Sequence, residues 1–149
     1  MGEEDNETKV LSMLREDGRM KLRDIARNTH IQFNTVSRIV NTNKNIIKHT
    51  TILDFKKLGY QIRLILALSV QTKHRDAIEE YLKRSPCVNS AMRINNGYNF
   101  MCELYFKDFE ESNRYLENLE NRFHIFNKDE YYILDSIVEH KFMTNPNLV

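Results

Sequence analysis

Three short segments with helical apolar spacing, separated by turn residues, fill the first third of the chain. In the first segment Val10 and Leu14 lie four residues apart, on one side of a helix. Asp17-Gly18 ends it, because glycine readily adopts the left-handed conformation that follows a helix. A second helix is predicted over 21–28, and a third begins near Phe33 after a four-residue turn. Two helices joined by so short a turn are typical of a helix-turn-helix.

The side chains around the turn fit this motif. Ala26 is small enough for two helices to cross closely, Ile31 would fill the corner, and Val36 and Val40 would complete the core. The outward side of the third helix and the residue before it then carry polar side chains, which are Gln32, Asn34, Thr35, Ser37, Arg38 and Asn41.

These six side chains have the chemistry of a DNA contact. Asparagine pairs with adenine and arginine with guanine through two hydrogen bonds, while serine and threonine suit phosphates or thymine methyl groups. No acidic residue interrupts this face. We therefore predict that it enters the major groove of double-stranded DNA. The alternative interpretation is a three-helix cap whose third helix is merely solvated.

The distribution of charged residues along the chain also favours a DNA-binding first half. Residues 8–60 contain eleven Lys and Arg against four Asp and Glu, whereas residues 61–149 contain eleven against thirteen. Residues 1–7 form an acidic tip with four Asp and Glu, among them Glu7, so the formal net charge of +1 combines this tip with a basic first half and a slightly acidic second half. That division is typical of a DNA-binding head on a protein-binding body.

The β-branched stretch from Asn45 to Leu53 predicts a short two-stranded wing, with Lys48 near its tip in reach of a phosphate. The first domain would thus span 1–53, followed by a linker over 54–60 and a second domain over 61–149.

The second domain alternates between strand and helix patterns in the order βαββαβ. Strands are predicted over 61–70, 88–94, 98–106 and 131–142, and helices over 74–84 and 108–123 with Asp108 as N-cap. This order is the ferredoxin-like plan, so the fold class is α+β. Two helices would cover one face of an antiparallel sheet and leave an apolar face, which two copies would bury in a twofold dimer.

Other classes of protein are disfavoured. The longest apolar run, Leu64–Leu68, is too short to span a membrane. The acidic start lacks the features of a signal peptide, so we expect a cytoplasmic protein. The five His and two Cys have no metal-ligand spacing, and Cys87 and Cys102 are interpreted as reduced core thiols. We assign no metal, no cofactor, no catalytic residues and no membrane contact.

Taken together, the two halves resemble the Lrp/AsnC family of prokaryotic transcription regulators over nearly the whole chain. The matching segments are Asp17-Gly18-Arg19, Leu22–Ala26, Thr35–Arg38, Ile46–Gly59 and the hairpin Asn96-Gly97-Tyr98-Asn99. The chain departs from the family where Gln32 replaces a capping Ser and Asn99 replaces an Asp.

The resemblance implies a sequence-specific transcription regulator that forms a homodimer, or a tetramer or octamer built from dimers. It also implies a site for an amino acid or another small effector at Asn96, Gly97, Tyr98 and Asn99, although the same residues would serve in a plain tight turn. Two alternatives stay open: an architectural protein that coats DNA with little sequence preference, and a tetrapyrrole-modifying enzyme on the same architecture.

Overall fold

A computed structural model describes residues 2–144 of the chain. Its contacts group into two compact units. The first contains the chain up to Ile52 together with the segment from Ile137 onward, and the second is Leu53–Ser136. The sequence placed everything after residue 60 in the second domain, whereas the segment from Ile137 packs with the first unit. The boundaries of the functional domains remain a prediction.

Three helices form the first unit: α1 (Glu3–Glu16), α2 (Leu22–Thr29) and α3 (Phe33–Thr42). Each contributes apolar side chains to one small core, which contains the buried Val10, Ile25, Ile31, Val36 and Ile39. The predicted helices are confirmed, with Ile31 in the corner and Val40 half-buried beside the core.

The segment after Ile137 is attached to α1 through its backbone. The Arg15 guanidinium donates to the carbonyl oxygen of His140 at 3.1 Å and to that of Phe142 at 3.2 Å. The side chains of Ile137 and Phe142 nevertheless point into solvent, 101% and 82% exposed. Backbone attachment therefore leaves these two apolar side chains exposed on the protomer.

The two wing strands predicted over 45–53 do not form. This stretch is irregular, and Ile47 and Ile52 are largely exposed. High β-propensity was the basis for the prediction, but a strand also needs a partner for its backbone groups. The segment contains no Gly or Pro to close a tight hairpin on itself. High β-propensity alone therefore does not produce a pair of hydrogen-bonded strands within this protomer.

The second unit contains a four-stranded antiparallel sheet in the order β2-β3-β1-β4. Its elements are β1 (Ile62–Val70), a 3-10 turn (Thr72–His74), α4 (Arg75–Arg84), β2 (Val88–Arg93), β3 (Phe100–Phe106), α5 (Phe109–Arg122) and β4 (Ile125–Tyr132). The predicted α+β, ferredoxin-like order is confirmed.

The core of this unit lies between the sheet and the two helices. Alternate residues of β1 and β3 pack there against α4 and α5, and the buried set includes Leu64, Leu66, Leu68, Ile78, Phe100, Leu104, Phe106 and Leu119. Asp108 begins α5 as predicted, because its Oδ1 accepts a hydrogen bond from the Glu111 amide at 2.8 Å.

Both cysteines are free thiols. Cys102 is buried in the core and Cys87 is half-buried beside it. Burial raises the pKa of Cys87 to about 11 and that of Cys102 to about 12. Both thiols therefore stay protonated and unreactive at neutral pH.

The fourth strand lies earlier in the chain than the sequence indicated. Residues 131–142 were predicted because of their β-branched side chains, but β4 is Ile125–Tyr132 and residues after 133 are irregular. β4 pairs with β1, from Val70 opposite Ile125 to Leu64 opposite Tyr132. This pairing makes the earlier, more polar stretch the fourth strand. Lys128 can lie on this edge because Glu130 pairs with it at 2.7 Å.

The face of the sheet away from the helices is mixed rather than uniformly apolar. Ile65 and Met101 lie on it, but so do Arg63 and Glu103, whose side chains are only 25% and 13% exposed. Arg63 Nε donates to Glu103 Oε1 at 2.7 Å, and Asn89 donates to the other carboxylate oxygen. A half-buried ion pair therefore occupies a surface that we expected to pair two sheets.

Burial alone would raise the pKa of Glu103, but the hydrogen bonds from Asn89 and Arg63 outweigh it, and this pKa lies below the ordinary value of 4.5. A carboxyl group whose pKa is lower in the folded chain stabilises the fold above its unfolded pKa. That contribution is lost as the pH falls through the folded pKa, below 4.5.

Within residues 2–144, no helix has both the length and the apolar character needed to cross a membrane.

Replacing Arg63 with Met should lower the free energy of unfolding by about 2 kcal/mol at pH 7, because Glu103 would lose its cation in a half-buried site. Urea unfolding of wild type and variant measures this difference, which should shrink below pH 4.5 as Glu103 is protonated. The matched control is Arg114→Met, which removes an exposed partner of Glu110 and should cost less than about 1 kcal/mol. Equal losses in the two variants would contradict this role of Arg63.

Candidate nucleic-acid interface

The connection between α2 and α3 is a three-residue turn with a defined geometry. His30 ends α2 in the left-handed conformation, with φ of 58°. The Ile31 amide donates to the Ala26 carbonyl at 3.2 Å, and Ile31 turns into the core. The chain then enters α3 through Gln32. Because Ile31 and Val36 are both buried, this turn determines which side of α3 faces outward.

The predicted contact residues divide into two groups by exposure. Gln32, Asn34, Arg38 and Asn41 are exposed, whereas Thr35 and Ser37 are half-buried. Asn41 Nδ2 donates to Ser37 Oγ at 3.2 Å, which links the last two turns of the helix. No residue of α3 is acidic. One side of α3 therefore presents amide, hydroxyl and guanidinium groups together.

Glu7 lies close to this surface, which the sequence analysis missed. Its Oε1 accepts a hydrogen bond from Asn45 Nδ2 at 2.8 Å. A side-chain hydrogen bond from Asn43 is the largest cause that lowers the Glu7 pKa, followed by the bond from Asn45, and the charge of Arg38 adds to both. The sequence assigned Glu7 to an acidic tip, and only the folding of α1 beside the end of α3 brings it here.

Lys48, the remaining predicted DNA contact, is exposed on the irregular segment after α3. Phe33 at the start of α3 is 46% exposed and was not predicted as part of this surface. Its apolar ring in the first turn of a predicted recognition helix was the signal that could have identified it.

The predicted effector residues form the turn between β2 and β3. Asn96 and Gly97 both have positive φ, 69° and 94°, as an Asn-Gly hairpin turn requires. The Asn99 side chain is already engaged, because its Oδ1 accepts from the Val70 amide at 2.9 Å. The Tyr98 hydroxyl bonds to Asp129, which raises the Tyr98 pKa. Asn99 therefore has a structural role in the protomer, whereas Asn96 stays exposed.

Among residues 2–144, no group of three or more His, Cys, Asp or Glu side chains is placed to hold a metal ion.

Comparison with known proteins gives consistent results. Residues 3–42 match a family described as winged helix-turn-helix DNA-binding. An uncharacterized HTH-type transcriptional regulator of Pyrococcus furiosus is 26% identical over 119 residues, covering 78% of this chain and 80% of that protein. The structure of AsnC from E. coli superposes with a TM-score of 0.79 at 15% identity, covering 90% of this chain and 92% of that one. A regulator from Neisseria meningitidis, solved in complex with L-Met, gives 0.83 at 13% identity and covers 90% and 91%.

The chain has the fold of the Lrp/AsnC regulators. The resemblance inferred from the sequence is thereby confirmed. In this Lrp/AsnC fold, residues 3–42 are the part matched by a DNA-binding family. Together with relatives that are HTH-type transcriptional regulators, this supports a DNA-binding transcription regulator.

Replacing Arg38 with Ala tests the predicted base contact. If its guanidinium pairs with a guanine, the change should cost about 1–3 kcal/mol and relax the preference at one base position. Competition binding with single-base variants of a bound duplex measures both effects. Arg23→Ala, at an exposed position on α2, is the matched control and should weaken binding to all duplexes alike. If Arg38→Ala lowers the affinity for all duplexes equally, Arg38 contacts a phosphate instead of a base.

Proposed function

We propose that this protein is a sequence-specific transcription regulator that binds double-stranded DNA as a homodimer and has no catalytic role. The observation that carries the proposal is the outward side of α3, where Asn34, Arg38 and Asn41 are exposed together on a helix without acids. The core behind α3 fixes that side toward solvent. The predicted contacts are Gln32, Asn34, Thr35, Ser37, Arg38, Asn41 and Lys48.

The chemistry of α3 favours sequence recognition over architectural coating of DNA. A coating protein needs cations for the phosphates, and α3 carries only one, Arg38. Its exposed Asn34 and Asn41 are amides, which form paired hydrogen bonds with adenine in the major groove. The relatives are regulators as well, which favours this function over a tetrapyrrole-modifying enzyme.

Binding to fragmented genomic DNA at low and at near-physiological salt tests the proposal. We expect a few fragments to be retained at the higher salt, because base contacts survive when counterions weaken the phosphate contacts. Fluorescence-monitored titration of each retained fragment measures the affinity. Release of all fragments over one narrow salt range would indicate an architectural protein, and no binding at either salt would contradict a DNA-binding function.

The dimer is supported by apolar side chains that the protomer leaves uncovered. Many of them lie in two irregular segments, which carry Ile47, Ile52 and Leu53 in one and Leu134, Ile137, Val138 and Phe142 in the other. Contiguous apolar surface on a small protein marks an interaction site, and these segments are candidates for one. A second copy offers the same segments, so a twofold arrangement can cover both sets. The open face of the sheet, where Ile65 and Met101 lie beside the Arg63–Glu103 pair, is a second candidate for the contact.

Replacing Val138 with Asp should weaken self-association at least about tenfold, because a charge would be buried in the contact. Sedimentation velocity over a range of protein concentrations measures this, and it also distinguishes dimers from tetramers and octamers. The control is Phe126→Asp, an equally exposed apolar position on β4. If wild type is monomeric, or if both variants dissociate alike, these segments do not form the interface.

The proposal includes a small-molecule effector at the turn Asn96–Asn99. Support comes from the exposed Asn96, and from the Asp129 carboxylate beside Tyr98, which could accept an ammonium group. The Neisseria meningitidis regulator with this fold was solved with L-Met. In the sedimentation experiment, one or more L-amino acids should therefore change the oligomer distribution, and Asp129→Asn should abolish the change. No response to any amino acid would remove this class of effector.

A further inference from the structure

One large apolar side chain of the three-helix unit is exposed, and it belongs to α3. Among the residues of α1, α2 and α3 that the structure describes, Phe33 is the only large apolar one that is exposed, at 46%, whereas the others are buried or half-buried. Phe33 is the first residue of α3, directly after Gln32. Aromatic rings contribute much of the binding energy at interfaces, because each can bury a large apolar area. A large part of this ring is therefore available to a partner of α3.

Phe33 lies beside the polar side chains that are predicted to contact DNA. Residues four apart form a row along a helix, so Phe33 begins a row that continues with Ser37 and Asn41. Asn41 Nδ2 donates to Ser37 Oγ at 3.2 Å, which shows that side chains of this row reach one another. The row runs along the margin of the outward side, next to the exposed Asn34 and Arg38. The first residues of a recognition helix are also those that contact base edges in helix-turn-helix proteins.

The chemistry of the ring limits what it can contact in DNA. A phenyl ring has no group that forms a conventional hydrogen bond with a phosphate or with a polar base edge. Among the groups that the four bases present in the major groove, the 5-methyl group of thymine is the apolar one. We infer that Phe33 is a specificity-determining residue that contacts a thymine 5-methyl group. The inference rests on the proposed binding of DNA by α3.

The length of α3 between the two residues places this thymine near the guanine proposed for Arg38. Arg38 follows Phe33 by five residues, which is about 7.5 Å of helix rise. Successive base pairs are about 3.4 Å apart, so this rise corresponds to about two base-pair steps. A helix that lies along the groove therefore brings Phe33 to a thymine within about three base pairs of that guanine.

Replacing thymine with uracil removes only the 5-methyl group and keeps the base pair, so it tests this contact directly. The probe is the genomic duplex that wild type retains most tightly at near-physiological salt, with each thymine replaced in turn. We expect uracil at one thymine of a half-site to weaken binding by wild type about threefold to fivefold, because one buried methyl group is lost. Fluorescence-monitored titration measures each affinity, and the remaining thymines serve as internal controls.

Variants of Phe33 show whether this residue makes the contact. Phe33→Ala should bind the parent duplex about fivefold more weakly and should no longer distinguish thymine from uracil, because both changes remove the same contact. Phe33→Leu keeps an apolar side chain and should retain the difference. The matched control is Phe109→Ala, which removes a 58% exposed phenylalanine from the first position of α5 and should also retain the difference. Thermal unfolding shows whether each variant keeps its fold.

The outcomes identify which claim fails. If wild type binds this duplex no more tightly than a random-sequence duplex, the proposed function fails and the contact by Phe33 fails with it. If wild type discriminates between duplexes but uracil weakens binding at no thymine, only the contact by Phe33 is overturned. A difference that persists in Phe33→Ala would assign the methyl contact to another side chain, such as Thr35, and would also overturn it. A changed oligomeric state of Phe33→Ala in sedimentation velocity would do the same, because the ring would then belong to a contact between protein chains.

Discussion

The packing of α3 against the other two helices is the constraint on which the predicted DNA-contacting surface depends. Val36 and Ile39 turn into a core with Val10, Ile25 and Ile31, and this leaves only one side of α3 for solvent. Because helical side chains recur every three to four residues, burial of those two places Asn34, Arg38 and Asn41 outward. Loss of this small core would remove both the stability of the unit and the geometry of its contact.

In the second unit, packing also determines which side chains of the sheet are buried, and the two faces of the sheet differ. One side of β1 and β3 packs against α4 and α5 and is apolar throughout its centre. The other side holds the Arg63–Glu103 pair, whose hydrogen bonds keep a half-buried carboxylate charged. An apolar sheet face would have been a simple dimer surface. Exposed apolar residues lie both in irregular segments, such as that from Ile137 onward, and on the sheet, where Met92 and Tyr131 belong to β2 and β4.

Features that depend on neighbouring residues were predicted from the sequence, whereas features that depend on distant residues were not. Helical periodicity and a capping Asp108 correctly indicated α3 and α5, since those signals act within a few residues. The strands predicted over 45–53 and the position of β4 were wrong, because a strand exists only where a distant partner pairs with it. At the candidate site, the exposure of Asn34 and Arg38 could be predicted from the same periodicity. The proximity of Glu7 could not, because it depends on how α1 packs beside the end of α3.

The proposed binding of α3 in the major groove, with the two copies of a dimer reaching successive grooves, is tested most directly by dimethyl sulfate footprinting of the genomic duplex that the protein retains most tightly. This reagent methylates guanine N7 in the major groove, where arginine pairs with guanine. The account predicts two clusters of protected guanines about 34 Å apart, with the protection lost in Arg38→Ala. Unprotected guanine N7 atoms on a duplex that the protein demonstrably occupies, or protection unchanged in Arg38→Ala, would contradict recognition by α3.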